Sequence, residues 1–249
     1  MKRIGLSLAL ALAALVPIGE AAWYAPAEDA KAQVELIAES RKIWEPEESY
    51  GETVGFTVTD LDHNGRLEIL VSNFGGTGLY THTDAYEVNE TKTGLALCQK
   101  DWPEGHSEGD WMGPAEVNAY SNDKDGIDWY VLSDYLRAGR ESVLSVSAVS
   151  LQNGVLHEKP IALADTMFDE EGKEHTSYQN GAGATVSKEE FNRAEETVFA
   201  GSVRARVPFP WLMYHGEEYG KWKVLGASTI AAMLLETYEK FIGADIVRE

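Results

Sequence analysis

Residues 26–44, PAEDAKAQVELIAESRKIW, place apolar side chains at helical spacing, with Val34, Ile37 and Trp44 near one face and acids in the first turn. EPEESYGE ends that pattern. From residue 53 to about 165 the period shortens to two. GFTVTD, LEILVSN, GLYTHTDAYEV, DWYVLSDYL, SVLSVSAVSL and VLHEKPIAL alternate apolar with polar positions. Turn clusters separate them, among them FGGTG, SNDKDG and LQNGV, and QNG between two such runs is a hairpin signal. This reads as antiparallel strands with one wetted face.

Helical spacing returns near the end. TVSKEEFNRAEETVFAG has Ser187 and Glu190 at capping-box spacing and Gly201 as a stop. STIAAMLLETYEKFIG carries Ile230, Met233, Leu234, Tyr238 and Phe241 on one stripe, with Gly243 just after. No repeat of fixed period and no low-complexity linker occurs. The pattern predicts one α+β domain over residues 23–249: an N-terminal helix, a central antiparallel β-meander, and C-terminal helices packed on the sheet.

The first 22 residues follow a different logic. MKR is a short basic start, IGLSLALALAALVPI is apolar but shorter than a membrane span, and Ala21 and Ala22 suit a signal peptidase. The expectation is a secretory signal over residues 1–22, a secreted or periplasmic protein, and no membrane attachment after cleavage. The only cysteine, Cys98, lies in the apolar stretch GLALCQK and reads as a buried, inert thiol. The formal charge is −20, and −21 once residues 1–22 are removed. So acidic a surface argues against nucleic acid and anionic lipid as partners and favours cations.

One stretch carries a candidate site. In DLDHNGRLE, Asp60, Asp62 and Asn64 take loop positions one, three and five, and Gly65 at six permits a sharp turn. Arg66 at seven offers its carbonyl, Glu68 at nine offers a carboxylate, and Leu67 pins the loop to the core. Hard cations such as Ca²⁺ take six to eight oxygens at about 2.3–2.6 Å, which alternate inward-facing residues can supply. Position twelve is Val71, which has no side-chain oxygen, and the flanks alternate as strands rather than helices. The alternative is an Asx-rich polar hairpin turn. Three clustered carboxylates would repel one another without a cation. A bound ion here would be structural rather than catalytic, since Ca²⁺ activates water poorly compared with Zn²⁺.

The D-x-D-x-N-G-x-x-E order resembles the strand–loop–strand calcium loops of FG-GAP and VCBS-type β repeats. That resemblance spans about nine residues. It implies Asp60, Asp62, Asn64 and Glu68 as side-chain ligands and Arg66 as a backbone ligand. Those families repeat the loop, whereas this chain has it once. The order of helix, DxDxNGxxE hairpin, KDGxxWYVLSDYL strand and TVSKEEF helix start is also similar to a group of uncharacterised bacterial secreted proteins and lipoproteins. This chain lacks their frequent lipobox cysteine, and the likeness implies no activity.

Little else points to chemistry. SNDKDGIDWY places Ile127 where a third alternate ligand would stand, so it reads as a turn. The six histidines, His63, His82, His106, His157, His175 and His215, include no pair at zinc-helix spacing, and no G-x-S-x-G elbow occurs. GGTG lacks a following P-loop lysine. DWPEGHSEGDWMGP and FPWLMYHGEEYGKW gather Trp102, Trp111, Trp211, Tyr214, Tyr219 and Trp222. These aromatics either stack on sugar rings or fill the core. The expectation is a non-enzymatic exported protein with a structural Ca²⁺ loop and an unidentified partner. A glycan-binding or glycan-cleaving protein that uses the tryptophan-rich loops is the alternative.

Overall fold

The structure, a computed structural model, describes residues 25–47, 53–75, 80–102, 108–122 and 126–242. The segment expected to be a secretory signal, most of the GGTG turn, Asp123, Asp125, His106 and the expected stop at Gly243 lie outside the described residues.

The chain begins with α1 (Ala27–Glu39) and a short α2 (Arg41–Trp44). Nine strands follow: β1 (Thr53–Thr59), β2 (Glu68–Gly75), β3 (Tyr80–Val88), β4 (Leu95–Leu97), β5 (Gln99–Lys100), β6 (Glu116–Asn122), β7 (Ile127–Ala138), β8 (Glu141–Gln152) and β9 (Val155–Phe168). Then come β10 (Glu174–Asn180), β11 (Thr185–Val186), α3 (Lys188–Asn192) and α4 (Ala194–Val198). The chain closes with β12 (Val203–Pro208), β13 (Leu212–His215), α5 (Glu217–Lys223) and α6 (Ala227–Ile242).

The expected plan holds at its coarse level, with helices at both ends and antiparallel strands between. It is more β-rich than expected, since strands take 46 % and helices 25 % of the described residues. The strands also form two sheets rather than one meander. The first sheet has the order β13-β1-β2-β3-β4, and the second β11-β10-β9-β8-β7-β6-β12, with β5 added in parallel at the start of β9. β13 joins β1 from far along the chain, pairing Thr53 with His215 and Phe56 with Leu212.

β1 is buried along its whole length, so neither of its faces is wetted. Val54, Phe56 and Val58 face the helices. Phe56 stacks on Trp222 of α5 at 4.7 Å and meets Trp44 edge-on at 5.4 Å. On the opposite face a Cβ at Gly55 would collide with the sulfur of Met112, so glycine lets that segment close over the sheet. β13 stops opposite Phe56, and α6 caps the strand edge beyond it. Val58 N–H donates to Thr237 Oγ1 at 3.0 Å, and that hydroxyl donates to Leu234 O at 2.7 Å.

The α6 stripe is seated as its spacing predicts, with Ile230, Leu234, Tyr238 and Phe241 buried against α1 and β1. One apolar core joins these residues to Val117, Tyr130, Leu132, Val149 and Leu156 of the second sheet. The Asn153–Gly154 turn has φ of 52° and 75°, the left-handed pair that a two-residue hairpin demands. The capping box at Ser187 and Glu190 is formed, but the helix it starts breaks at Arg193 into α3 and α4. Among the described residues no helix is long and apolar enough to cross a membrane.

Candidate metal centre

Residues 60–67 connect β1 to β2 around the end of the first sheet. The chain turns through left-handed backbone at His63 (φ 53°) and Gly65 (φ 77°), which brings position nine back beside position one. One carboxylate oxygen from each of Asp60, Asp62 and Glu68 lies within 4.8 Å of the others.

Part of this is the Asx-turn geometry of the simpler reading. Asn64 N–H donates to Asp62 Oδ1 at 3.3 Å, Arg66 N–H to Asn64 Oδ1 at 2.7 Å, and Gly65 N–H to Asp60 Oδ1 at 3.4 Å. Glu68 lies outside that turn. It stands on β2 and is fully buried, as is Asp60. Its Oε2 accepts from Leu61 N–H at 2.8 Å and Thr59 Oγ1 at 3.1 Å. Glu68 Oε1 and Asp60 Oδ2 are buried and accept no hydrogen bond. No lysine or arginine among the described residues pairs with either carboxylate.

The electrostatics follow from this geometry. Burial raises Asp60 to about 7, reinforced by Asp62, while nearby backbone N–H groups, Gly65 first, pull the other way. Burial lifts Glu68 well above the carboxylate range, with Asp60 adding to it. Asp62 is raised by burial and by Glu87. Glu87 is a feature that local spacing could not reveal. It lies on β3 directly across from Glu68, and like charges in such pairs destabilise a sheet. Its Oε1 accepts from Arg66 at 2.7 Å and from Asn64 Nδ2 at 2.8 Å.

Of the five residues that the sequence nominates, the structure therefore converges three carboxylates. Asn64 sits beside them, its Nδ2 2.8 Å from Asp62 Oδ2. The Arg66 side chain is turned to Glu87, which leaves only its backbone as a ligand source. Three further residues hold the loop from outside. Gln33 on α1 grips its backbone at Gly65 and Leu67, Tyr130 on β7 donates to Leu61 O at 2.9 Å, and Asp128 on β7 meets His63 at 3.2 Å.

No protein-family model, curated protein or solved structure matches the chain.

Trp111, Tyr219 and Trp222 are buried in the core, and Trp102, Trp211 and Tyr214 pack partly against it, so none stands out as a stacking platform. Cys98 is buried, and burial followed by Glu68 and Glu87 pushes its thiol up, away from the reactive thiolate. His157 and His175 pair with Asp101 and Asp169 at 3.0 Å. A second charged cluster lies on β3. His82 contacts Asp84 at 3.1 Å and Glu108 at 3.2 Å, and Lys100 reaches Glu108 at 2.7 Å. Unlike the Asp60 group, this cluster carries its own cations.

Proposed function

We propose that the chain is an exported protein whose Asp60 loop holds a structural Ca²⁺ ion. Asp60, Asp62, Asn64 and Glu68 serve as side-chain ligands and Arg66 as a backbone ligand. The observation that carries this reading is that Asp60 and Glu68, clustered with Asp62 within 4.8 Å, are fully buried, each keeps an oxygen that accepts no hydrogen bond, and no lysine or arginine among the described residues pairs with either. A buried charge without a partner costs several kcal/mol, and folded proteins retain such groups where a metal or a function compensates.

The donor set is oxygen only, which favours a hard cation over Zn²⁺ or copper. A structural role fits better than a catalytic one, because hydrogen bonds from α1, β3 and β7 tie the loop on three sides. Export rests on the basic start, apolar run and small-residue exit of residues 1–22.

Calorimetric titration of Ca²⁺ into the chelator-stripped protein, beside Asp60→Ala/Asp62→Ala, tests the metal assignment. Binding in the parent alone is expected, with Kd of roughly 10⁻⁴ to 10⁻³ M, the range of extracellular modules. Absence of heat in the parent overturns it.

A further inference from the structure

Gln33 is a buried polar residue on the apolar face of α1, only 1 % exposed, where an alanine or leucine would cost less to bury. Its amide is fully used. Nε2 donates to Gly65 O at 2.8 Å, and Oε1 accepts from Leu67 N–H at 2.9 Å. A carboxamide can donate to one backbone group and accept from another, as a neighbouring strand would. The second hydrogen of Nε2 goes to Asp29 Oδ2 at 3.1 Å, and Asp29 is held in turn by Lys92 from the β3–β4 turn at 2.6 Å. The two backbone groups that Gln33 grips flank Arg66, the residue at the backbone-ligand position.

We propose that Gln33 is the positioning residue of the Asp60 site, and that through it the ion sets how firmly α1 is docked. This inference rests on the metal reading above. Gln33 touches no ligand atom. It fixes the peptide groups at 65–67, so that the Arg66 carbonyl has one orientation when a cation arrives. Coupling of this kind is reciprocal: the factor by which docked α1 tightens the site is the factor by which the ion tightens α1. Without the clamp, α1 keeps the Asp29–Lys92 pair and its apolar contact to α6.

The test uses the full chain, with Gln33→Ala and the near-isosteric Gln33→Met, and Ca²⁺ alone as the probe. Calorimetry is expected to show affinity 10- to 100-fold below the parent in both variants, the usual effect of losing a group that orients a ligand. In the parent, added Ca²⁺ should slow hydrogen exchange across α1. A merely structural Gln33 would lower the melting temperature equally with chelator and with Ca²⁺, whereas a positioning Gln33 shrinks the calcium-induced gain. Variants that bind as the parent does, or α1 exchange unchanged by Ca²⁺, overturn the inference and leave the metal site standing. A parent that binds no Ca²⁺ removes both. If neither variant folds, α1 exchange in the parent decides.

Discussion

Glu68→Gln separates metal ligation from ordinary hydrogen bonding. The Oε2 atom of Glu68 holds Leu61 N–H and Thr59 Oγ1, and a glutamine carbonyl oxygen can keep both. Its NH₂ group then takes the place of Oε1, which accepts no hydrogen bond, in a cluster where Asp60 Oδ2 has no donor. Were both carboxylates ionised within 4.8 Å they would repel by about 3 kcal/mol at an effective dielectric constant near 20, which adds to burial in holding Glu68 protonated without a cation. The substitution replaces an acid that burial keeps protonated with a neutral amide and adds a donor. In chelator the variant should therefore melt no lower than the parent, against the usual rule that changing a buried polar group destabilises. With roughly 10 mM Ca²⁺, a hundredfold over a Kd of about 10⁻⁴ M, ligation should stabilise the parent by about 2.7 kcal/mol. For a chain of this size that is about 5–11 °C in Tm, and the variant should gain almost none of it. Differential scanning calorimetry in chelator and in Ca²⁺ reads both quantities. A variant that melts several degrees below the parent in chelator, yet gains the same increment from Ca²⁺, would refute the assignment of Glu68 as a ligand.

Tyr130→Phe leaves the buried Leu61 carbonyl without its 2.9 Å partner and cuts one tie between the second sheet and the loop. A loss of about 1–3 kcal/mol is expected, read as a drop of about 2–12 °C in Tm, and an unchanged Tm would contradict the tie. The β3 cluster predicts a pH signature. Hydrogen bonds to Asp84 and then Glu108 raise His82 from 6.5 to about 9, so its contribution is complete below 6.5 and is lost as pH rises through about 9. Asp84 and Glu108 are held low despite burial, by hydrogen bonds and charge from His82 and Lys100, so their contributions are lost as pH falls through the acid range. The stability gap between the parent and His82→Ala, measured by chemical denaturation, should be widest near pH 6 and should close by about pH 10. A gap independent of pH would exclude the ion network as its source.

Signals that lie within a few residues of one another are legible in the sequence. Asn153–Gly154 demands left-handed backbone at two successive residues, Ser187 and Glu190 cap each other three residues apart, and the α6 stripe repeats within sixteen residues. Asp60, Asp62 and Glu68 also converge within nine residues, because glycine at 65 turns the loop. The surroundings of the site were not legible. Gln33, Glu87 and Tyr130 reach it from three separate elements, and nothing in their own neighbourhoods announces a role. The two-sheet arrangement was hidden for the same reason. β1 reads as a strand with a polar face of Thr53, Gly55, Thr57 and Thr59, and periodicity cannot show that this face is covered by other segments. β13 is four residues long, and its pairing with β1 is a purely long-range fact.

That long-range pairing fixes a timetable for synthesis. Thr53 waits for His215, and Val58 waits for Thr237, which is made 179 residues later. At about 5–20 residues per second, roughly 10–40 s pass between the emergence of β1 and that of the helix that caps it. For most of that interval the first sheet lacks β13 as an edge strand and its aromatic cover from Trp222, so its side of the core stays incomplete. The order of its elements keeps a newly made copy unfinished, and open to chaperones, until α6 has been made.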